Sequence, residues 1–218
     1  MQGRLIVLEG IEGSGKTTQI QRLYQWLQAL LGHRFGDAAP PLYLTRQPGG
    51  TATGQSIRQL LLASDGADLG STTELLLYAA DRAQHVEQLL RPKLAAGGLV
   101  LCDRYTDSTV AYQGYGRGLS LELIHQLNQI ATGGLTSDLT LWLQLDVATG
   151  LERMRARGRI DRIEQAGLAF HQRVHQGFAA QVHRENFVTV DGSGSQSAVA
   201  ERMQTAVLDY LERWYGRF

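Results

Sequence analysis

The stretch "LEGIEGSGKTTQ", Leu8 to Gln19, sets Gly10, Gly15, Lys16 and Thr17 in the pattern G-x-x-x-x-G-K-[ST] directly after a short apolar run. Glycines let such a loop curl until successive backbone N–H groups point at phosphate oxygens, and a helix starting behind it adds the positive end of its dipole. Lys16 would reach the outer phosphates and the Thr17 hydroxyl would hold Mg²⁺. Gly10, Ile11, Glu12, Gly13, Ser14, Gly15, Lys16, Thr17 and Thr18 are therefore the candidate cradle for a nucleoside triphosphate. Glu12 is out of character, because a carboxylate repels the polyanion that such a loop is built to hold. The second half of a site of this kind is an acid at the end of another central strand, and "LVLCDRY" supplies Asp103, which would organise Mg²⁺, often through water. Arg104 follows it directly.

A reaction that moves phosphate onto a second phosphate must hold two mutually repelling polyanions in line, so it needs cations beyond Lys16. Arg46, Arg58, Arg82 and Arg104 fall at strand ends or on intervening helical segments. Arg82 lies one helical turn from Tyr78, so ring and guanidinium either pin a nucleobase or pack a helix on itself. In "TRQPGGT" a strand exit meets a Pro-Gly turn that would aim Arg46 at the strand-end crevice, with Pro48 in either isomer. The run "RMRARGRIDR" places Arg153, Arg155, Arg157, Arg159 and Arg162 around Gly158, either as a solvated face or as cations brought to the site.

These residues need a scaffold. Short apolar runs at Leu5 to Leu8, Leu42 to Thr45, Leu99 to Cys102, Leu139 to Leu145 and Phe187 to Val190 alternate with helical patterns. That alternation predicts five parallel strands in an α/β sheet covered by helices on both faces. Ile20, Leu23, Leu27, Leu30 and Leu31 mark one helical face; Leu75, Ala79, Ala83, Val86 and Leu90 mark another, expected to stop near Pro92. A last helix is expected over about Ser197 to Tyr215, and Gly32 to Pro41 reads as a connection.

With 218 residues, 43% of them hydrophobic, the chain can build one domain around a real core. Lys plus Arg equals Asp plus Glu at 21 each, which excludes a global positive field for nucleic acid or an anionic membrane. The single cysteine, Cys102, fits buried packing and a reducing compartment, and no apolar run approaches a membrane span. A cytoplasmic location is the expectation. The six histidines carry no ligand spacing, and no zinc site is expected.

Taken together, "LEGIEGSGKTTQ", "TRQPGGT", "YAADRAQH", "LCDRYTDSTVAYQGYGRG" and "GRIDRIEQ" resemble the bacterial thymidylate kinases almost from end to end. The resemblance implies a P-loop NTPase-type three-layer fold, 1–218 as one domain with a mobile lid at about 150–163, a homodimer, and ATP-dependent conversion of dTMP to dTDP with Mg²⁺. It further implies that Tyr78 stacks on thymine, that Arg82, Thr109 and Gln113 lie at the base edge, and that Tyr112 crowds a ribose 2′-hydroxyl. Arg46, Pro48, Arg58 and Arg104 would surround the acceptor, and Glu12 would engage its 3′-hydroxyl. The P-loop has no basic residue before Lys16, so the resemblance implies the lid-arginine design, with Arg157 first and Arg153 second as catalytic partners of Lys16 and Arg104. Position 47 departs from the pattern: Gln47 stands where the family usually has Glu, which removes a charge and argues against a metal role. The loop at Asp191 to Ser195 is the candidate for adenine contacts.

Two other readings use the same P-loop. One is a nucleotide kinase with a different acceptor; the other is a nucleotide-dependent switch, which would need no acceptor pocket.

Overall fold

The structure, a computed structural model, describes residues 2–62, 69–156, 158, 162, 163 and 165–216. Its centre is a five-stranded, all-parallel sheet in the order β2-β3-β1-β4-β5, made of β1 (Arg4–Glu9), β2 (Leu42–Arg46), β3 (Leu99–Asp103), β4 (Leu139–Gln144) and β5 (Phe187–Asp191). β2 to β5 begin at the first residue of an expected apolar run and β1 one residue before its run, and alternate residues feed opposite layers. Ile6 and Leu8 pack toward Leu23 and Leu27 of α1 (Lys16–Phe35) and Met203 and Val207 of α9 (Gln196–Tyr215). Leu5 and Val7 face the other way, toward Val86, Leu90 and Tyr105. A third cluster joins Trp142 of β4 to Val147 and Leu151 of α7 (Val147–Ala156) and to Phe170 and Phe178 of α8 (Leu168–Ala179).

Caps fix several helix ends. Ser195 accepts a hydrogen bond from the Ala198 N–H to start α9, and Ser120 does the same for Leu123 at the start of α6 (Leu121–Thr132), which ends at Gly133 in the left-handed region.

Two expectations are corrected. The helical pattern that begins with α3 (Ser71–His85) does not stop near Pro92. It widens into a π-helical segment, Val86–Leu90, and continues as α4 (Arg91–Ala95) with Pro92 in its first turn. The first turn of a helix needs no donor from the proline nitrogen, and the wider turn before it makes room for the ring. Gly32 to Pro41 is likewise not all connection: α1 runs through Gly32 to Phe35, and a short 3₁₀ turn follows at Gly36–Ala38. Two more helices, α2 (Ala52–Leu62) and the single turn α5 (Thr106–Thr109), flank the sheet's upper edge, and α5 runs on into a second π-helical segment, Val110–Gly116.

Because every strand runs the same way, the exits of β1, β2 and β3 share one edge, and Arg46 pairs with Asp103 across it. Doubly wound sheets bind ligands on that edge, where the connections diverge to either side. Leu27 is fully buried between α1 and the sheet, so Leu27→Ala should cost about 2–5 kcal/mol. A urea unfolding midpoint unchanged by that substitution would contradict this core assignment.

Candidate active site

The loop between β1 and α1 is shaped by its glycines: Gly10, Gly13 and Gly15 have φ of 149°, 71° and 91°. Gly13 also lets α7 come close, since a Cβ there would lie 2.1 Å from the Gly150 carbonyl oxygen. The Ser14 hydroxyl donates to Ile11 O at 2.7 Å, and the Lys16 ammonium donates to Gly10 O and Ile11 O at 2.8 and 2.7 Å. Burial, then the nearby Arg104 charge, lower the Lys16 pKa to about 8.

Glu12 turns out of the cradle. Its carboxylate accepts from Arg104 at 2.7 Å and from the Tyr112 hydroxyl at 2.6 Å, with His171 Nδ1 3.7 Å away. Burial pushes this carboxyl up, but Arg104, Lys16, Tyr112 and His171 outweigh it and hold Glu12 below the usual carboxylate range. Arg104 is a non-glycine residue in the left-handed region, at φ 71°. Such a backbone costs on the order of 1–3 kcal/mol and persists only where its surroundings fix it. Glu9 supplies the fixing. Fully buried at the end of β1, it accepts from Tyr105 N at 2.8 Å, Ser108 N at 3.2 Å and the Ser108 hydroxyl at 2.6 Å. Ser108 in turn accepts from Arg104 Nη1 at 3.0 Å.

A cavity of about 480 Å³ opens over this edge. Of the residues singled out from sequence, Glu12, Gly13, Gly15, Lys16, Thr17, Thr18, Arg46, Pro48, Arg58, Tyr78, Arg82, Asp103, Arg104, Thr109, Tyr112, Gln113 and Arg153 line it. Gly10, Ile11 and Ser14 form the loop's underside instead. Arg157, the first choice among the lid arginines, and Arg159 lie outside the described residues. Arg162 donates to Leu61 O and to the buried Glu74 carboxylate, so its partners are protein groups. Asp191 to Ser195 does not line the cavity; the helix after it accepts from Gln19 through Gln196 O at 2.8 Å. The Gln47–Pro48 peptide is cis, and Arg58 donates to Pro48 O at 3.1 Å. Cys102 is buried, and its thiol is pushed well up by burial, as packing predicts.

Lys16, Arg46, Arg58, Arg82, Arg104 and Arg153 line this space together with the carboxylates of Glu12 and Asp103. The excess of cations suits polyanionic ligands. Asp103 Oδ1 is buried without a hydrogen-bond partner among the described residues, and Thr17 lines the same cavity, so the pair fits a hydrated Mg²⁺.

Sequence reasoning missed Glu9, Glu74 and His85. Glu74 is fully buried and accepts from Gln113 at 2.8 Å, from Arg117 and from Arg162. Glu9 follows the apolar run directly, in the position of a strand-end acid, and that was the available signal.

A parallel sheet with a glycine-rich loop at the exit of its central strand, opening on a cation-lined cavity, defines a P-loop nucleotide-binding protein. The thymidylate kinase family model matches residues 8–203. A thymidylate kinase of a Cyanothece species is 60% identical over 99% of this chain and 97% of its own length, and one from Thermosynechococcus vestitus is 54% identical over 98% and 90%. The crystal structure of thymidylate kinase from Ehrlichia chaffeensis superposes with a TM-score of 0.73 at 30% identity, covering 95% of this chain and 99% of that one. The chain belongs to the thymidylate kinase family.

Burial, then the neighbouring Asp107, raise the Glu9 carboxyl from its ordinary 4.5 to about 7. Between those values the folded chain keeps a proton that the unfolded chain has released, so this group's contribution to stability falls as pH rises. Glu9→Gln should therefore gain in urea midpoint relative to the parent as pH climbs from about 5 to about 7, then level off. A difference flat across that range would mean that Glu9 ionises normally.

Proposed function

We propose that this cavity carries out the reaction of the family, transfer of the ATP γ-phosphoryl group to the phosphate of dTMP, giving dTDP and ADP, by direct in-line displacement. The observation that carries the reading is that the P-loop and Tyr78, Arg82, Thr109, Tyr112 and Gln113 line one continuous space. A nucleotide switch has no use for the second group.

The loop's backbone N–H groups and Lys16 hold the triphosphate. Arg46, Arg58 and Arg104 hold the acceptor phosphate, which is already a competent nucleophile and needs no general base. Asp103 and Thr17 are the residues that would hold Mg²⁺, which when bound neutralises phosphate charge. Tyr78 offers its ring to the base, Glu12 accepts from the sugar 3′-hydroxyl, and Tyr112 stands where a 2′-hydroxyl would fall. The Glu12–Tyr112 hydrogen bond supports the last two assignments, because it sets sugar recognition and ribose exclusion on one side of the cavity. Arg157 and Arg153 complete the charge shell from the lid; Arg153 lines the cavity from the last turns of α7. A homodimer and a cytoplasmic location belong to the same reading. Among the described residues no helix is long and apolar enough to cross a membrane.

ADP formation should depend on added dTMP and run much slower with thymidine, which lacks the acceptor phosphate; turnover indifferent to every nucleotide acceptor would defeat the kinase reading. Arg157→Ala should lower kcat by at least about 10³-fold with little change in dTMP KM, and Arg153→Ala should do so less severely. The reverse order would exchange their roles. Tyr112→Ala should relax discrimination against ribo-TMP, while Tyr112→Phe should keep it; selectivity that survives the alanine change would remove the steric account.

A further inference from the structure

Arg82 is 2% exposed, yet none of its hydrogen bonds among the described residues goes to a carboxylate. Its Nε donates to Gln47 Oε1 at 3.0 Å, one terminal nitrogen to Asn128 Oδ1 at 2.8 Å, and the other to Tyr105 O at 3.0 Å. The Tyr105 ring lies beneath it, 5.8 Å from the guanidinium carbon to the ring centre. Three elements thus fix the plane of a buried guanidinium through neutral hydrogen-bond acceptors, while the Asp81 and Glu9 carboxylates act on its charge without bonding to it.

Donor and acceptor counting then settles the next link. Arginine can only donate, so Gln47 must present its oxygen to Arg82 and its NH₂ to the other side. That NH₂ lies 2.8 Å from His85 Nδ1. It can only donate as well, so Nδ1 carries a lone pair and the ring proton sits on Nε2, 2.7 Å from the Thr45 hydroxyl oxygen, which accepts it. Turning the amide over would set N–H against N–H at Arg82 and lone pair against lone pair at Nδ1. A protonated imidazole would set N–H against N–H at Nδ1. Burial, then the Arg82 charge, drive the His85 pKa down to about 4, in the same direction. The strand-exit turn closes over the ring: a Cβ on Gly50 would lie 2.4 Å from His85 Cδ2.

We propose that Gln47 and His85 are positioning residues for Arg82, a neutral amide–imidazole clamp that sets the guanidinium against the acceptor base. This rests on the reading that Arg82 meets that base. It also gives the departure at position 47 a physical meaning. A glutamate there would still accept from Arg82, but it could only accept from His85 too, so the ring proton would have to sit on Nδ1 and the Thr45 hydroxyl would turn to donate to Nε2. With Gln47 the link holds its geometry with no proton to lose near neutral pH.

The test combines ¹⁵N NMR of the histidines, with His85 assigned by its absence in His85→Gln, and steady-state kinetics. In the parent, His85 should be a neutral Nε2–H tautomer that does not titrate between about pH 6 and 8. In Gln47→Glu the ring should carry a proton on Nδ1 instead, with dTMP KM near the parent value. Gln47→Met keeps the shape and loses both bonds; its dTMP KM should rise about tenfold, with kcat and ATP KM changed much less. A parent His85 that carries its proton on Nδ1, or titrates near 6.5, overturns the clamp. The expected tautomer with dTMP KM unchanged in Gln47→Met overturns the positioning role. Should Arg82→Lys also leave dTMP KM unchanged, the failure belongs to the acceptor role of Arg82 itself.

Discussion

A carboxylate inside a phosphate-binding loop repels the ligand the loop is shaped for unless something turns it aside, and here the Arg104–Glu12 ion pair at 2.7 Å does so. The rest of the site depends on that contact. With Glu12 drawn to Arg104 and Tyr112, its charge is turned aside from the loop's backbone N–H groups. The pair is held in turn, because Arg104 reaches Glu12 from a left-handed backbone that Glu9 fixes through Tyr105 and Ser108. Two acids thus act in series across one arginine: Glu9 sets the turn, and Glu12 takes the side chain.

The frame was legible because its signals are local. A short apolar run can be recognised within a few residues, and four of the five strands start where such a run starts, with β1 one residue earlier at Arg4. The glycine spacing of the P-loop is equally local, since the φ values that require glycine belong to the loop itself. Where the reading of helices failed, at Pro92 and Gly32, a neighbouring turn had absorbed the breaker: the π-helical segment before Pro92 and a C-cap postponed to Gly36. No composition rule shows that in advance.

The site was legible by residue type but not by partnership. The arginines of the cavity could be named because a chain of zero net charge that clusters cations at strand ends needs a reason for doing so. What they bind could not, because the deciding partners are far away in sequence: Glu9 to Ser108 spans 99 residues, Arg82 to Asn128 46, and Gln113 to Glu74 39. His85 carries no ligand spacing, yet hydrogen bonds tie it to Gln47 in the cavity wall and to Thr45.

Glu74 links the pocket wall to the arginine-rich run after α7. It is fully buried and serves as common acceptor for Gln113 in the cavity wall, for Arg117, and for Arg162 in that run. A buried carboxylate shared in this way ties its donors together, because each one that leaves strips compensation from a charge with no access to water. Burial alone would raise the Glu74 pKa, but its hydrogen bonds from Arg117, Gln113 and Arg162 bring it below the ordinary value, so it is the charged form that the donors stabilise. The cavity wall at Gln113 and the arginine-rich run at Arg162 are therefore not independent parts. A displacement of either is felt at one carboxylate, which also explains why Arg162, alone among the described arginines of that run, is bound inward to protein while Arg153 and Arg155 remain exposed.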